Sequence, residues 1–263
     1  ALVRAEDFLT KGDLEGAARE LAAAAAVARD RKLQERFAAA QKGLADGRAL
    51  EKTAREELEA LFAKGNVVEA RKRWKPGLSP SPAAPWVLAL SGDYAAAWKL
   101  CPPKTASPHR ARLAAWAGDQ PGCEAALNSI GGARARALGA ELRAFLPDLA
   151  VGDGELPSDD PWTGLARAEE ALARGDAASA LIGLSERPGK TDSELSLCWA
   201  LASARAAIAV GHEKNLRKAE ETFELASDLH PLDRGRALAW RALFGRLDGG
   251  KSEEELTRFA PGV

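Results

Sequence analysis

One short pattern recurs five times along the chain and restricts its fold more than any other feature: glycine, then Asp or Asn, three variable positions, and a small residue. It reads Gly12-Asp13 with Ala17, Gly65-Asn66 with Ala70, Gly92-Asp93 with Ala97, Gly118-Asp119 with Cys123, and Gly175-Asp176 with Ala180. Glycine takes the left-handed backbone conformation that ends one helix. The Asp or Asn after it accepts a backbone N–H bond and caps the next helix. The small residue falls one turn into that second helix, where the preceding helix crosses closest. Four residues further on the same face stand Leu21, Trp74, Cys101, Leu127 and Leu184. Each copy predicts an antiparallel helical hairpin with a tight elbow.

Composition points the same way. Alanine is heavily used, aromatics make up 6%, and there is one Tyr and no Met. Alanine is the best helix former and lets helices approach closely, while the scarcity of β-branched residues removes the usual material for strands. The expected fold class is all-α. Helices are expected near 1–11, 14–29, 31–46, 48–64, 67–74, 83–91, 94–101, 108–117, 121–129 and 133–146. They resume near 161–174, 177–186, 192–210, 214–229, 233–247 and 252–259. Residues 31–64 can be read either as one helix or as two, broken near Gly43 or Gly47. Ser81-Pro82, Ser107-Pro108 and Asp160-Pro161 each read as a helix N-cap followed by proline at the first helical position.

The segment Phe8-Leu9-Thr10-Lys11-Gly12-Asp13-Leu14-Glu15-Gly16-Ala17 resembles the centre of a tetratricopeptide repeat (TPR), from the end of its first helix into its second. Residues 162–184 match it in the same manner. Ala219, Phe223, Ala226 and Pro231 have the spacing of that family's second helix and closing proline, and Trp199, Ser203 and Ala206 fit its first helix if residues 211–215 form a longer elbow. The resemblance implies an α-solenoid of antiparallel hairpins, a TPR-like superhelix. A full repeat spans about 34 residues, yet Gly65, Gly92 and Gly118 are only 27 and 26 apart. The hairpins in the middle are therefore expected to be short and irregular. The organisation expected is hairpin repeats over 1–146, a link or kink at 147–160, and TPR-like repeats over 161–263 with a terminal capping helix. Residues 1–150 carry a formal charge of +5 and the remainder −6, summing to −1, so the polarity changes sign near the link.

No arrangement of catalytic residues is legible, and no cofactor or metal ligand is assigned. His109, His212 and His230 lack metal-ligand spacing and read as local structural or solvent residues, His230 as a cation suited to a helix C-terminus. Cys101, Cys123 and Cys198 are lone cysteines in apolar helical patterns and read as small buried hydrophobes, with a Cys101–Cys123 disulfide as the alternative. No apolar run approaches the roughly 18–20 residues of a membrane span. Ser252 with Glu253-Glu254-Glu255 reads as a helix N-terminus, and Glu56, Glu57 and Glu59 as the solvated face of a long helix.

The resulting expectation is a non-catalytic interaction scaffold whose concave surface holds a peptide or partner helix. The resemblance implies that this surface includes Leu9 and Thr10 in the first hairpin, and Trp162, Leu165, Glu169 and Leu172 later. Arg205 and Arg241 are further polar candidates. Trp86 and Trp162 each follow a proline near a helix start, where an aromatic can be half exposed and anchor a peptide. Trp74, Trp98, Trp116, Trp199 and Trp240 read as packing residues. The cluster Arg71, Lys72, Arg73, Trp74 and Lys75 reads as an exposed cationic helix end around a core tryptophan. Its alternative is binding of nucleic acid or an acidic partner. A helical-solenoid enzyme with a paired-carboxylate site is the other alternative. A cleft where Glu169 meets a second carboxylate would favour it. Both the cytoplasm and the cell envelope or periplasm are compatible with the chain. Head-to-tail pairing of the basic and acidic halves is one route to a homo-oligomer.

Overall fold

The computed structural model describes residues 1–25, 31–78, 81–102, 107–150, 152, 155–185, 188, 192–211, 214, 217, 229–245 and 256–260. Every regular element among them is helical. We label them α1 (Leu2–Thr10), α2 (Leu14–Ala25), α3 (Arg31–Ala63), α4 (Val67–Arg73), α5 (Ala84–Leu90), α6 (Tyr94–Leu100), α7 (Pro108–Trp116), α8 (Gln120–Ile130), α9 (Gly132–Leu142), α10 (Thr163–Ala173), α11 (Ala177–Gly183), α12 (Ser193–Val210) and α13 (Pro231–Gly245). A single 3₁₀ turn lies at Pro76–Leu78, and residues 256–259 form a short helical turn.

All five repeated elbows form as their residues dictate. Gly12, Gly65, Gly92, Gly118 and Gly175 have φ between 69° and 85°, the region that side chains avoid. The following side chain accepts the N–H three residues on in each case: Asp13 from Gly16, Asn66 from Glu69, Asp93 from Ala96, Asp119 from Gly122 and Asp176 from Ser179. The small residues Ala17, Ala70, Ala97, Cys123 and Ala180 are completely enclosed. Close helix crossing at that turn leaves no room for more.

Helix α3 is continuous through Gly43 and Gly47 for 33 residues. The glycines do not break it, and Gly47 admits the α1–α2 elbow. A Cβ at Gly47 would lie 2.8 Å from Leu14 Cδ2, and one at Gly43 would lie 3.5 Å from Leu9 Cδ1. The penalty of about 1 kcal/mol for glycine in a helix is set against that approach. The first half of α3 packs on α1 and α2, and its second half on α4 and the 3₁₀ turn.

Packing then runs from neighbour to neighbour, with α5 on α6, α7 on α8, α9 on α10, α10 on α11 and α11 on α12. Helix α9 reaches across the 147–160 link, since Ala133 and Ala137 share an apolar cluster with Trp162, Leu165 and Trp199. Helices two apart also touch, as α1 with α3, α7 with α9 and α10 with α12, and a contact of longer range forms as well. Helix α13 returns to α5, and Leu232, Leu238, Phe259 and Ala260 join Val67, Leu88, Leu90 and Leu113 in one cluster. The C-terminal segment thereby ties the end of the chain to its middle.

Several expectations need correction. Helix α5 starts two residues after Pro82, because the Ser81 hydroxyl accepts from Ala83 N and shapes a turn before it. The Asp160 carboxylate accepts from Trp162 N, so it too forms a turn, and α10 begins at Thr163. Ser107 stands at the N-cap of α7 but directs its hydroxyl to His109 Nδ1 at 3.2 Å. Asp192, passed over in the sequence, caps α12 through Leu195 N. Helix α12 has the length and mean hydropathy (1.2) of a membrane span, although no such run was expected. Eleven of its 18 residues are buried against the rest of the protein. The expected helix at 214–229, the residues Ala219, Phe223 and Ala226, His212, and Ser252 with Glu253–Glu255 lie outside the described residues.

Candidate functional site

The middle of the molecule is held by charge. Arg112 stands among the buried apolar residues of α7 and has no solvent exposure. Its guanidinium lies 3.3 Å from Asp233 Oδ1 on α13, 3.4 Å from Glu141 Oε2 on α9 and 3.5 Å from Glu194 Oε1 on α12. It also donates to Cys198 Sγ at 3.2 Å. Around this group Arg236 bridges Asp233 and Glu141, Arg134 pairs with Glu194, Arg205 with Glu169, and Arg136 with Glu170. A buried ion requires several partners because its lost hydration is worth several kcal/mol. Four helices meet here to provide them.

The environment separates the acids. Burial works to raise the pKa of Asp233, but Arg112, His109 and Arg236 overcome it and hold the carboxylate well below its usual range. Glu141 follows the same logic, with Arg236 and Arg112 overcoming burial. Glu169 does not. Burial dominates there and Arg205 compensates only in part, so its pKa is pushed up to about 7. Its Oε2 has no hydrogen-bond partner among the described residues. For Arg112, burial opposes the charge and Glu141 and Asp233 more than restore it.

His109 Nε2 lies 2.7 Å from Asp233 Oδ2, and its ring stacks on His230 at 3.5 Å between centroids. The Trp86 ring meets the His230 ring edge-on at 4.5 Å. His230 does not serve as a cation at a helix C-terminus. It precedes the N-terminus of α13, its Nδ1 accepts from Leu232 N, and burial with its histidine neighbour lowers its pKa to about 3. Trp86, expected as a half-exposed anchor, is partly exposed and meets both histidine rings edge-on.

Two pockets open beside the ionic cluster. The first, about 430 Å³, is lined by the apolar groups of Tyr94, Trp116, Phe145, Leu201 and Trp240 and by the charged Glu141, Arg205 and Arg236. The second, about 520 Å³, is lined by Glu141, Arg143, Pro147, Glu169, Leu172 and Arg205 among others. Glu141, Ala144 and Arg205 line both, so the two pockets adjoin along these residues. A concave apolar site with a few converging polar groups and a displaced pKa has the form of a ligand site.

The structure gathers Glu169, Leu172 and Arg205, three of the residues singled out in the sequence, around this junction. Trp162 and Leu165 are corrections: each is under a tenth exposed and belongs to the core, with the Arg134 guanidinium over the Trp162 ring at 5.2 Å. They cannot face a partner. Arg241 is half-buried on α13 and outside the walls of both pockets. Leu9 and Thr10 line a separate cleft of about 840 Å³ along α3, together with Lys72, Arg73 and Lys75 of the basic patch. Within that patch Arg71 pairs with Asp93, Lys72 with Glu69, and Arg73 with Glu57. Cys101, Cys123 and Cys198 are all free and buried, so the alternative disulfide is absent.

Sequence reasoning missed Arg112, Glu141, Glu194, Asp233 and Arg236. The available signal was a charge at an inward position: Arg112 stands between Ala111 and Leu113, with Ala114 and Ala115 following. Among the described residues no group of three or more His, Cys, Asp or Glu side chains converges as a metal site would require. Compared with family models, curated proteins and solved structures, the chain shows no match to any of them.

Proposed function

We propose that this chain is a non-catalytic protein–protein interaction scaffold, an α-solenoid of TPR-like hairpins that presents a groove to a peptide within a larger complex. The observation that carries the reading is the junction at Arg205. There Leu172 and Arg205 line a pocket, with Arg205 paired to the enclosed Glu169 as the rest of the ionic cluster is spent on internal pairs. Neighbour-to-neighbour packing of hairpins with enclosed small residues also supports it. The test is capture from the native organism's lysate with this chain as bait, at low and high salt. A single protein recovered in stoichiometric amount at both salt levels is the expected result. Recovery of nucleic acid, or of material held only at low salt, counts against the scaffold.

One observation favours a second reading, a helical enzyme. Glu141 and Glu169 share the walls of one pocket, and their pKa values are pushed in opposite directions. Such a pair can divide the roles of base and acid. Their engagement by Arg205 and Arg236 weighs the other way. A small molecule recovered chemically altered after incubation with the protein would decide for the enzyme. The basic cluster carries no third reading, because three of its four cations are already matched by carboxylates.

A further inference from the structure

Ser107 stands at the N-cap of α7, yet its hydroxyl does not cap the helix. Its Oγ lies 3.2 Å from His109 Nδ1, and the other ring nitrogen, Nε2, lies 2.7 Å from Asp233 Oδ2. Serine, histidine and aspartate therefore form one hydrogen-bonded line between α7 and α13. Exposure falls along it. Ser107 is partly exposed, the His109 side chain is 13% exposed and that of Asp233 only 1%. The enclosed end is the anionic one, and Arg112 and Arg236 hold it there.

The state of Asp233 decides the tautomer of the ring. Arg112, His109 and Arg236 keep this carboxyl ionised against the effect of burial, and a carboxylate only accepts hydrogen bonds. In the uncharged imidazole Nε2 then carries the proton and donates it to Asp233. Nδ1 keeps its lone pair, so the Ser107 hydroxyl donates to Nδ1. A hydroxyl bonded to a base, with the base oriented by a third group, is the arrangement of an activated nucleophile. The plane of the ring is fixed from one side by His230, stacked at 3.5 Å, which Trp86 meets edge-on at 4.5 Å. Burial and the neighbouring His109 lower the pKa of His230 to about 3, so it sets no second charge against His109 near neutral pH. Around the pair stand Asp233 and Arg236 of α13 and Arg112 of α7, with Glu141 of α9 and Glu194 of α12 behind Arg112. Helix α5 brings Trp86 and carries no titratable side chain.

We infer that Ser107 is a nucleophile that takes an acyl group from an activated ester, with His109 as its base and Asp233 positioning the ring. Ser107 Oγ bonds to the carbonyl carbon of the ester as its proton passes to His109 Nδ1. The C–O bond of the ester then breaks, and the alcohol leaves with that proton. The products are an acyl ester on Ser107 and a free alcohol, and nothing is oxidised or reduced. The positive end of α7, a helix of nine residues, favours the negative charge that develops on the attacked oxygen. This single covalent event per chain goes beyond the scaffold reading and does not rest on it.

The experiment is incubation of the whole chain with 4-nitrophenyl acetate, followed by nitrophenolate absorbance and intact-mass spectrometry. A fast phase that adds one acetyl group per chain, located on Ser107 by peptide mapping, is the expected result. Ser107→Ala, at a partly exposed position with no capping bond to lose, should fold normally and abolish that phase. His109→Gln should slow it at least about a hundredfold, the lower yield of a general base, and added imidazole should restore part of the rate. Asp233→Asn should lower the rate and move the acid limb of its pH profile to lower pH, because an amide no longer favours the charged imidazole. An unmoved limb overturns the positioning role of Asp233. Acetyl groups on lysines with Ser107 bare, or an equal rate in His109→Gln, overturns the inference as a whole.

Discussion

Where α1, α2 and the first half of α3 meet, the enclosed core is Ala5, Leu21 and Ala40, with Leu2, Leu9, Phe37 and Leu44 half-buried around them. Where α7, α9, α12 and α13 meet, the enclosed residues include Arg112 and Asp233, with Glu141 and Arg236 close behind. The first region is apolar and thin, and its ion pairs, such as Arg31–Glu35 and Arg36–Glu6, are exposed. The second is thick enough to exclude water from charges. The difference teaches what each region tolerates. A thin apolar core fails gradually when trimmed, while a buried ionic cluster fails sharply when one partner is removed.

The largest effect should come from the second region. Arg112→Met leaves Asp233, Glu141 and Glu194 without their shared cation, and urea unfolding should show a loss of about 3–5 kcal/mol. Adding Asp233→Leu to that variant should recover part of the loss, because the orphaned charge is then gone as well. A double variant no better than the single would mean that Asp233 is adequately held by His109 and Arg236.

Leu21→Ala tests the first region. The loss should fall near the low end for a buried leucine, about 2–3 kcal/mol, because so thin a core can close around the gap. Hydrogen exchange should quicken in α1 and α2 while the amides of α7 and α12 keep their protection. Uniform acceleration across the chain would show that the two regions unfold as one unit.

The repeated elbow occurs in both regions and permits a like-for-like comparison. Asp13→Ala removes a cap alone and should cost about 1 kcal/mol in thermal unfolding. Asp119→Ala also strands Trp98 Nε1, which donates to Asp119 Oδ2 at 2.7 Å, and should cost about 2 kcal/mol. Equal losses would show that the Trp98 bond adds nothing to the cap.

The pH profile of stability is also governed by the second region. The folded pKa of His230 is depressed to about 3. Its contribution is complete above the unfolded histidine value of about 6.5 and is lost as pH falls below it. Glu169 has the opposite sign. With its folded pKa raised to about 7, its contribution is present below the unfolded value of about 4.5 and lost as pH rises toward 7. His230→Gln should flatten the acid limb and Glu169→Gln the neutral limb of a melting-temperature profile. An unchanged profile in either variant would show that the other groups of the cluster set the response.

The elbows were legible because each depends on residues within five positions of one another. A left-handed glycine, a capping carboxylate and an enclosed alanine answer to local backbone geometry, so Gly175, Asp176 and Ala180 state their roles in order. The helix class follows from the same local chemistry. Gly47 could not be settled that way, since its reason is the approach of Leu14 from another hairpin. The candidate site was half legible. Glu169 and Leu172 came from the resemblance to the repeat family, and Arg205 as a polar candidate on a neighbouring helix. Trp162 and Leu165 came with them, although they turned out to be core.

By itself the sequence determined where helices begin, end and turn, because those choices are made by hydrogen bonds reaching three to five residues along the chain. The tertiary structure alone decided which charges are buried together. Arg112 and Asp233 are more than a hundred residues apart in sequence yet 3.3 Å apart in space. That pairing exists only because α13 turns back onto the middle of the molecule. The strength of a charge, and the pKa of a carboxyl such as Glu169, are set by the water that packing removes, and no neighbour in the sequence records it.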